Sequence, residues 1–301
     1  MESILTQQLN FKIGSKTILS NIDLHVPDKS IYGYLGRNGA GKSTTIKLLL
    51  GLLRDEADAI FIQGQSLKDY RSDIYANVGN LIEAPCYYTK LTVFENLKYL
   101  DIIHKKGDKR IDAVLEMVDL GREKRKKAST LSMGMKQRLG IAMAIFHDPQ
   151  LLILDEPLNG LDPQGIVEMR NLFRLLNEQG KTIFLSSHIL SELEKIATHI
   201  GIIEGGKMIF QGTKNELLRE VEREALLRTS DATRAATVLN NAKFSVLRTD
   251  GQTVVVKIAD DNQFDQLIKC LVQQNIEIYG LESHSADLEQ IFINLISRSN
   301  D

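Results

Sequence analysis

A glycine-rich segment between an apolar strand and an apolar-striped helix constrains this chain more than any other feature. The segment reads Gly36-Arg37-Asn38-Gly39-Ala40-Gly41-Lys42-Ser43, after a predicted strand at residues 30–35 and before a predicted helix. Glycines let the backbone N–H groups turn inward around an anion, and a helix N-terminus adds partial positive charge. The pattern predicts a P-loop, with Lys42 against the β and γ phosphates of a nucleotide and the Ser43 hydroxyl on Mg²⁺. The other predicted nucleotide contacts here are Gly36, Asn38, Gly39, Ala40, Gly41 and Thr44.

Two adjacent acids end a second apolar strand. Residues 151–154 read Leu-Leu-Ile-Leu, and Asp155 and Glu156 follow directly. Burying two carboxylates together is unfavourable unless they have a function. Asp155 is placed to hold Mg²⁺ through water, and Glu156 is placed to polarise the attacking water as a catalytic base. In isolation a solvated strand end explains the pair equally well, but a P-loop in the same chain favours catalysis.

A third segment, Leu131-Ser132-Met133-Gly134, opens another predicted helix. The first N–H groups of a helix have no partner within it, so Ser132, Gly134 and the amides that follow can form a second anion cradle. Taken alone, the segment favours a simple capped helix start.

The hydrophobic pattern predicts an α/β core with antiparallel strands near the N-terminus. Leu9, Phe11 and Ile13 alternate as on one face of a strand. The apolar runs at 151–154 and 182–185 are typical of strands buried on both faces of a parallel sheet. Strand–helix alternation around these runs indicates an α/β architecture.

Two further segments have their own patterns. Residues 91–147 are mostly of helical periodicity, and the composition changes near Leu217. Beyond that point the pattern predicts a small α+β domain that ends in a helix with a buried face, formed by Leu288, Ile291, Phe292 and Leu295. Its earlier elements are predicted as a strand (225–228), a helix (233–240), a hairpin (244–247 and 253–258, turning at Asp250-Gly251), a helix (263–273) and a strand (276–279).

Composition narrows the class of protein. The formal net charge is -2 with 25% charged residues, which argues against a dedicated nucleic-acid binder. No apolar run reaches the ~20 residues that span a bilayer, and the first ten residues do not resemble a secretory signal. Cys86 and Cys270 are far apart in sequence and are expected to be free thiols in a reducing cytosol.

The order of the three motifs resembles the ATPase domain of ABC transporters, over about residues 2–218. In this resemblance Glu83 stands at the Q-loop position, the D-loop corresponds to Asn159-Gly160-Leu161-Asp162, and His188 corresponds to the switch histidine at the γ phosphate. The resemblance implies ATP and Mg²⁺ as cofactors, with Glu83 as a further metal and catalytic ligand and Asp162 near the nucleotide. It also implies a head-to-tail dimer of two ATPase chains, with Ser132 and Gly134 on the ATP of the opposing copy.

The sequence departs from the family pattern at three places. Glu83 replaces glutamine, so it can bind Mg²⁺ or water but offers no amide donor. Ile13 stands where the family carries an adenine-stacking tyrosine, and Phe11 is the alternative stacking residue. The family's signature sequence, Leu-Ser-Gly-Gly-Gln, corresponds here to Leu-Ser-Met-Gly-Met, which begins at Leu131. The serine and the glycine that contact phosphate in the family are kept.

A narrower resemblance, to bacterial exporters of the bacitracin-resistance and lantibiotic self-immunity type, comes from 81–85, 131–140, 186–192 and 287–292. In that group the ATPase is a separate chain that pairs with membrane permeases, which implies export from the cytoplasmic face of the membrane. Tyr87 and Tyr88 are expected to line a groove for a cytoplasmic helix of the permease, although a core role is the alternative.

The resemblance implies a P-loop ABC ATPase core with an antiparallel β subdomain and a helical subdomain, plus a small α+β C-terminal domain. The predicted boundaries are 1–219 for the nucleotide-binding domain, with its helical subdomain at about 86–147, and 220–301 for the accessory domain. Two other functional classes fit the sequence less well. ABC proteins of translation or DNA repair carry two fused ATPase domains or a long coiled coil, and this chain has neither. P-loop GTPases and kinases have no use for the Leu-Ser-x-Gly signature.

Overall fold

The computed structural model describes residues 1–54, 57–69, 76–219, 223–258, 261–284, 291–292 and 295–296. It separates into two compact units, Met1–Lys214 and Asn215–Asp301. Within the described ranges, no helix is both long and apolar enough to cross a bilayer. The helices of the first unit are α1 (Lys42–Leu49), α2 (Val93–His104), α3 (Asp108–Met117), α4 (Met133–Ile145), α5 (Pro163–Glu178) and α6 (Leu190–Glu194), and α7 (Lys214–Arg219) begins at the boundary.

The first unit is built on a six-stranded sheet with the order β12-β11-β5-β10-β9-β8. All neighbouring pairs in it are parallel except β11 and β12, which are antiparallel. The strands of this unit are β1 (Glu2–Thr6), β2 (Leu9–Ile13), β3 (Lys16–Ile22), β4 (His25–Pro27), β5 (Ile31–Leu35), β6 (Ile60–Ile62), β7 (Gln65–Ser66), β8 (Val78–Leu81), β9 (Leu151–Leu154), β10 (Thr182–Ser187), β11 (His199–Glu204) and β12 (Lys207–Thr213).

Strands β5, β9 and β10 form the centre of the core. Every residue of these three strands is buried, as the uninterrupted apolar runs predict for a parallel sheet covered on both faces. Phe184 in β10 lies between two tyrosines of β5, with its ring centroid 5.6 Å from that of Tyr32 and 5.3 Å from that of Tyr34. The prediction of a parallel α/β core is therefore confirmed.

The N-terminal strands are antiparallel, as predicted, and form a sheet of order β4-β1-β6-β7 and a β2-β3 ribbon. Leu9, Phe11 and Ile13 differ in exposure along β2. Leu9 is fully buried, but Phe11 is half-buried and the side chain of Ile13 is 62% exposed. The pairing of β2 with β3 shifts register on both sides of Phe11, which interrupts the regular alternation of faces that the sequence suggests.

The helical subdomain begins at a capping-box sequence, in which Thr92 is followed three residues later by Glu95. The hydroxyl of Thr92 accepts the N–H of Glu95 at 3.1 Å, and the carboxylate of Glu95 accepts the N–H of Thr92 at 2.7 Å. This capping box starts α2, and its two hydrogen bonds satisfy amides that the helix itself leaves unpaired. Helices α2, α3 and α4 then pack on one another through a core that includes Val93, Leu97 and Leu139.

The second unit has the element order βαββαβ: β13 (Arg223–Thr229), α8 (Ala232–Asn241), β14 (Ser245–Asp250), β15 (Thr253–Ile258), α9 (Asp261–Gln273) and β16 (Ile278–His284). Its sheet has the order β14-β15-β13-β16, and every neighbouring pair is antiparallel. This is the arrangement of ferredoxin-like folds. Its core joins strand residues such as Leu227 and Val256 with helix residues such as Leu239 and Leu267.

The predicted elements of the second unit are present, with one displacement. The strand expected at 276–279 runs instead from Ile278 to His284. The N–H of Ile276 donates to the carbonyl of Leu271, and Asn275 is left-handed with φ 54°, so Ile276 belongs to the turn that ends α9. Of the predicted final helix, Leu288 lies outside the described residues, whereas 291–292 and 295–296 are helical and Ile291 is buried.

Candidate functional site

Four neighbouring parallel strands, β5, β10, β9 and β8, bring most of the predicted site residues to one edge of the central sheet. The P-loop follows β5, His188 follows β10, Asp155 and Glu156 follow β9, and Glu83 lies just beyond β8. The carboxyl ends of parallel strands face the same way, which makes this edge the usual ligand site of an open α/β sheet.

Two glycines of the P-loop, Gly36 and Gly41, leave little room for a side chain. A Cβ at Gly36 would lie 2.5 Å from the carbonyl oxygen of Ile203, and one at Gly41 would lie 2.7 Å from Leu19. Gly41 also has φ 116° and caps α1 without any side-chain hydrogen bond, and no acid stands in the first turn of that helix. The N–H groups at the start of α1 are therefore available to an anion, so the loop fits a nucleotide phosphate.

Lys42 is buried beneath this loop. Its Nζ donates to the carbonyl of Gly36 at 2.7 Å and lies 3.6 Å from Oε1 of Glu156. A buried ammonium needs such partners, because an isolated buried charge is very unfavourable. The contact joins the P-loop lysine to the acid at the end of β9, as expected for two parts of one site.

The two acids after β9 are held differently. The buried Asp155 accepts a 2.5 Å hydrogen bond from the hydroxyl of Ser186, and the same hydroxyl accepts the N–H of Glu156 at 2.9 Å. Glu156 has a left-handed backbone with φ 49°, and one of its carboxylate oxygens lies 3.0 Å from Nδ1 of His188. An ionised carboxylate can only accept, so His188 is the donor in this contact. Left-handed non-glycine residues cost free energy and concentrate at functional sites.

Glu83 makes a contact that the sequence analysis missed. Its Oε1 lies 2.5 Å from Nζ of Lys47, and its backbone is also left-handed, with φ 54°. Lys47 follows Ser43 by four residues on α1, so both residues lie on the same face of that helix. That spacing is the one feature of the sequence that places Lys47 near the P-loop. No local pattern in the sequence predicts that Lys47 contacts Glu83.

The signature segment begins α4 and packs on the D-loop of the same chain. The Ser132 hydroxyl caps α4 by accepting the N–H of Met135 at 3.2 Å. Gly134 approaches Gly160 closely, because a Cβ on Gly134 would lie 3.3 Å from the Gly160 carbonyl oxygen. The carboxylate of Asp162 caps α5 by accepting the N–H of Gly165 at 2.9 Å. Ser132, Gly134 and Asp162 thus stand at two adjoining helix starts.

A second unforeseen residue links this segment to the acids. The side-chain amide of Gln137 in α4 donates to the carbonyls of Pro157 at 3.0 Å and Glu156 at 3.3 Å. Two hydrogen bonds to consecutive carbonyls fix the loop after β9 relative to α4. Gln137 is buried, and a buried polar side chain needs such partners.

The predicted adenine contacts lie on β2. Phe11 packs partly against the core of the first unit, whereas Ile13 is exposed. Phe11 is only half-buried, so both Phe11 and Ile13 have surface that a nucleotide base could contact.

The expected metal ligands are Ser43, Asp155 and Glu83. Among the described residues, no group of three or more His, Cys, Asp or Glu side chains could hold a metal ion. Mg²⁺ normally binds through one or two carboxylates together with substrate phosphates and water, so a hydroxyl and one or two acids beside a phosphate cradle suit it.

Comparison with known proteins identifies the family. A family model described as ABC transporter matches residues 19–159. The bacitracin transport ATP-binding protein BcrA of Enterococcus faecalis is 39% identical over 300 residues, covering 98% of this chain and 97% of the relative. The lantibiotic transport ATP-binding protein SrtF of Streptococcus pyogenes is 41% identical over 207 residues, covering 68% of this chain and 88% of the relative.

A solved structure gives the same answer. An ATP-binding subunit of an ABC transporter superposes with a TM-score of 0.67 at 29% identity, covering 72% of this chain and 92% of that chain. The motifs, the fold and these relatives agree with one another. The chain therefore belongs to the ABC transporter family, as one of its ATP-binding and ATP-hydrolysing subunits.

Proposed function

We propose that this chain powers the export of a peptide antibiotic or a related drug through a separate membrane permease, at the cytoplasmic face of the membrane. The observation that carries the proposal is the similarity to a bacitracin transport ATP-binding protein along 98% of the chain, which includes the second unit. Cargo contacts would lie in the permease, so the ATPase chain itself supplies the energy.

In this proposal the P-loop binds the phosphates of ATP. Lys42 exchanges its carbonyl contact at Gly36 for the β and γ phosphates, and the amides at the start of α1 donate to the same oxygens. Ser43, Asp155 and Glu83 would hold Mg²⁺, and the Ser186 hydroxyl orients Asp155. Mg²⁺ when bound supplies positive charge that neutralises the phosphates.

Glu156 is the catalytic base in the proposal. Its carboxylate accepts a hydrogen bond from the attacking water and orients it in line with the γ phosphate. His188 contacts that carboxylate at 3.0 Å through Nδ1, so it positions the base, and a proton on Nε2 as well would let the same ring donate to the γ phosphate. The left-handed backbone of Glu156 and its bond to Ser186 keep the carboxylate at the strand end.

A second copy of the chain completes each site. One P-loop covers one side of the phosphates, and the γ phosphate needs donors on its far side. Ser132 and Gly134 stand at the N-terminus of α4, a 13-residue helix with no acid in its first turn. Such a terminus attracts an anion, and in a head-to-tail dimer it would meet the ATP of the opposing copy, beside Asp162.

The permease is proposed to dock beside Glu83. Tyr88 is 52% exposed and meets Tyr99 of α2 edge-on, with ring centroids 4.9 Å apart. Ile102 and Ile103 on the same helix are 68% and 69% exposed, so the four residues form an apolar patch. We call Tyr88, Tyr99, Ile102 and Ile103 the α2 patch. Tyr87 is half-buried in the loop before α2.

Residues from about 220 onward are proposed to form an accessory domain without a part in ATP chemistry. The P-loop, the paired acids and the signature segment all lie in the first unit. The ferredoxin-like arrangement of the second unit is a compact α+β module, which suits a role in dimerisation or regulation.

Deletion of the gene is expected to sensitise its host to peptide antibiotics that act outside the cell, because export would no longer lower their concentration at the membrane. Growth inhibition across a panel of bacitracin-like and lantibiotic peptides measures the effect. The wild-type gene should restore resistance, while a Glu156→Gln copy should not. An antibiotic that acts inside the cell is the control. Unchanged sensitivity to every peptide in the panel would contradict the proposed cargo class.

A further inference from the structure

The ion pair between Lys47 and Glu83 calls for a reason other than stability. The side chains of Lys47 and Glu83 are 33% and 62% exposed, and ion pairs this exposed contribute little to the stability of a fold. The left-handed backbone of Glu83 has its own free-energy cost. The contact is weak and exposed, and it involves a residue with a left-handed backbone beside the phosphate cradle. These features favour a role in setting the position of the Glu83 carboxylate over a role in stabilising the fold.

The surrounding charges show what Lys47 neutralises. Three carboxylates, Glu83, Asp155 and Glu156, follow neighbouring strands at this edge of the sheet. Lys42 and His188 both contact Glu156, and the Ser186 hydroxyl contacts Asp155. Lys47 is the cation that contacts Glu83 among the described ion pairs. Without it, the Glu83 carboxylate would face incoming ATP phosphates as an uncompensated negative charge.

We propose that Lys47 is a positioning residue that holds the Glu83 carboxylate against α1 when no nucleotide is bound and releases it to Mg²⁺ when Mg-ATP binds. This inference rests on the proposed role of Glu83 at the metal. A glutamine at position 83 would carry no charge, so the influence of Lys47 depends on the carboxylate. Mg²⁺ must then compete with an ammonium group for Glu83, and ATP without metal meets a neutralised carboxylate.

The expected effects have opposite directions. Lys47→Met should weaken the binding of metal-free ATP, because Glu83 then repels the phosphates. It should also lower the Mg²⁺ concentration that half-activates hydrolysis, because the ammonium no longer competes. Exposed charge pairs are screened by water, so each change should be about two- to five-fold, which corresponds to about 0.4–1 kcal/mol.

A double-mutant cycle on the full chain tests the inference. Binding of a ribose-labelled fluorescent ATP analogue is titrated in EDTA for wild type, Lys47→Met, Glu83→Gln and the double variant. Lys47→Met should weaken binding in the wild-type background and should have no further effect once Glu83 is glutamine. Lys47→Arg should rescue binding because it keeps the charge. Lys109→Met, at an exposed lysine of α3, is the control for loss of one positive charge.

The outcomes separate the two proposals. An equal loss of metal-free binding in both backgrounds, or no loss in either, would overturn the role of Lys47, provided that thermal unfolding shows the variants folded. If Glu83→Gln leaves the half-activating Mg²⁺ concentration unchanged, the proposed metal role of Glu83 fails. In that case the coupling between positions 47 and 83 in the binding of metal-free ATP can still be measured in EDTA. The contribution of the ion pair is therefore tested independently of the metal role.

Discussion

Glu156→Gln is expected to slow ATP hydrolysis by about 10²–10⁴-fold while ATP binding is retained, because that factor is the usual contribution of a positioned base. The substitution keeps the size of the side chain, but an amide cannot take a proton from water. The bond from the backbone N–H of Glu156 to Ser186 is also unaffected, so the loop after β9 should keep its shape.

Steady-state phosphate release measures the loss of turnover, and fluorescent-nucleotide binding measures the retained affinity. Glu178→Gln is the matched control, because Glu178 is an exposed glutamate at the end of α5 and should be neutral. Near-normal turnover in Glu156→Gln would remove Glu156 from its role. A loss of nucleotide binding would instead indicate a structural role at the strand end.

Tyr88→Ala is expected to keep the ATPase activity of the isolated chain and to abolish transport, because the α2 patch would lose an aromatic anchor. Tyr88 meets Tyr99 edge-on and remains half exposed, as expected of an anchor residue before its partner binds. Truncating such a residue commonly costs about 2 kcal/mol or more, or roughly 30-fold in affinity. Tyr87→Ala should have the same direction of effect, since Tyr87 is half-buried beside it.

Co-purification with the permease is the readout for the α2 patch. Tyr279→Ala is the matched control, since Tyr279 is also 52% exposed but lies on β16 of the second unit. If both Tyr87→Ala and Tyr88→Ala co-purify and transport normally, the docking surface lies elsewhere. In that case Tyr88 and Tyr99 belong only to the helical segment.

The parts of the site that could be predicted are those encoded within a few residues. The P-loop, the acids after β9 and the start of α4 each combine a local pattern with the element that follows it. Ser186, Lys47 and Gln137 were missed because their partners lie 31, 36 and 20 residues away. Such contacts follow from the order of strands in the sheet, which short-range patterns do not specify.

The same distinction applies to the fold: features set by neighbouring residues could be predicted, and features set by contacts between distant residues could not. The run at 151–154 predicts β9 correctly because burial on both faces leaves a continuous apolar signal. The alternation of Leu9, Phe11 and Ile13 predicts the strand correctly but not how exposed each residue is, since register shifts in the β2-β3 ribbon depend on pairing. In the second unit, Ile276 has strand-like composition yet completes the turn after α9.

If ATP is held between two copies of this chain, the mass of Glu156→Gln in solution must depend on nucleotide. Light scattering after size exclusion should give the 33.8 kDa monomer without nucleotide and a dimer at saturating Mg-ATP, with one ATP per chain. Adding Lys42→Ala to Glu156→Gln should prevent the dimer, because the phosphates lose their lysine. A mass that stays monomeric at high protein concentration and saturating Mg-ATP would show that two copies do not enclose ATP.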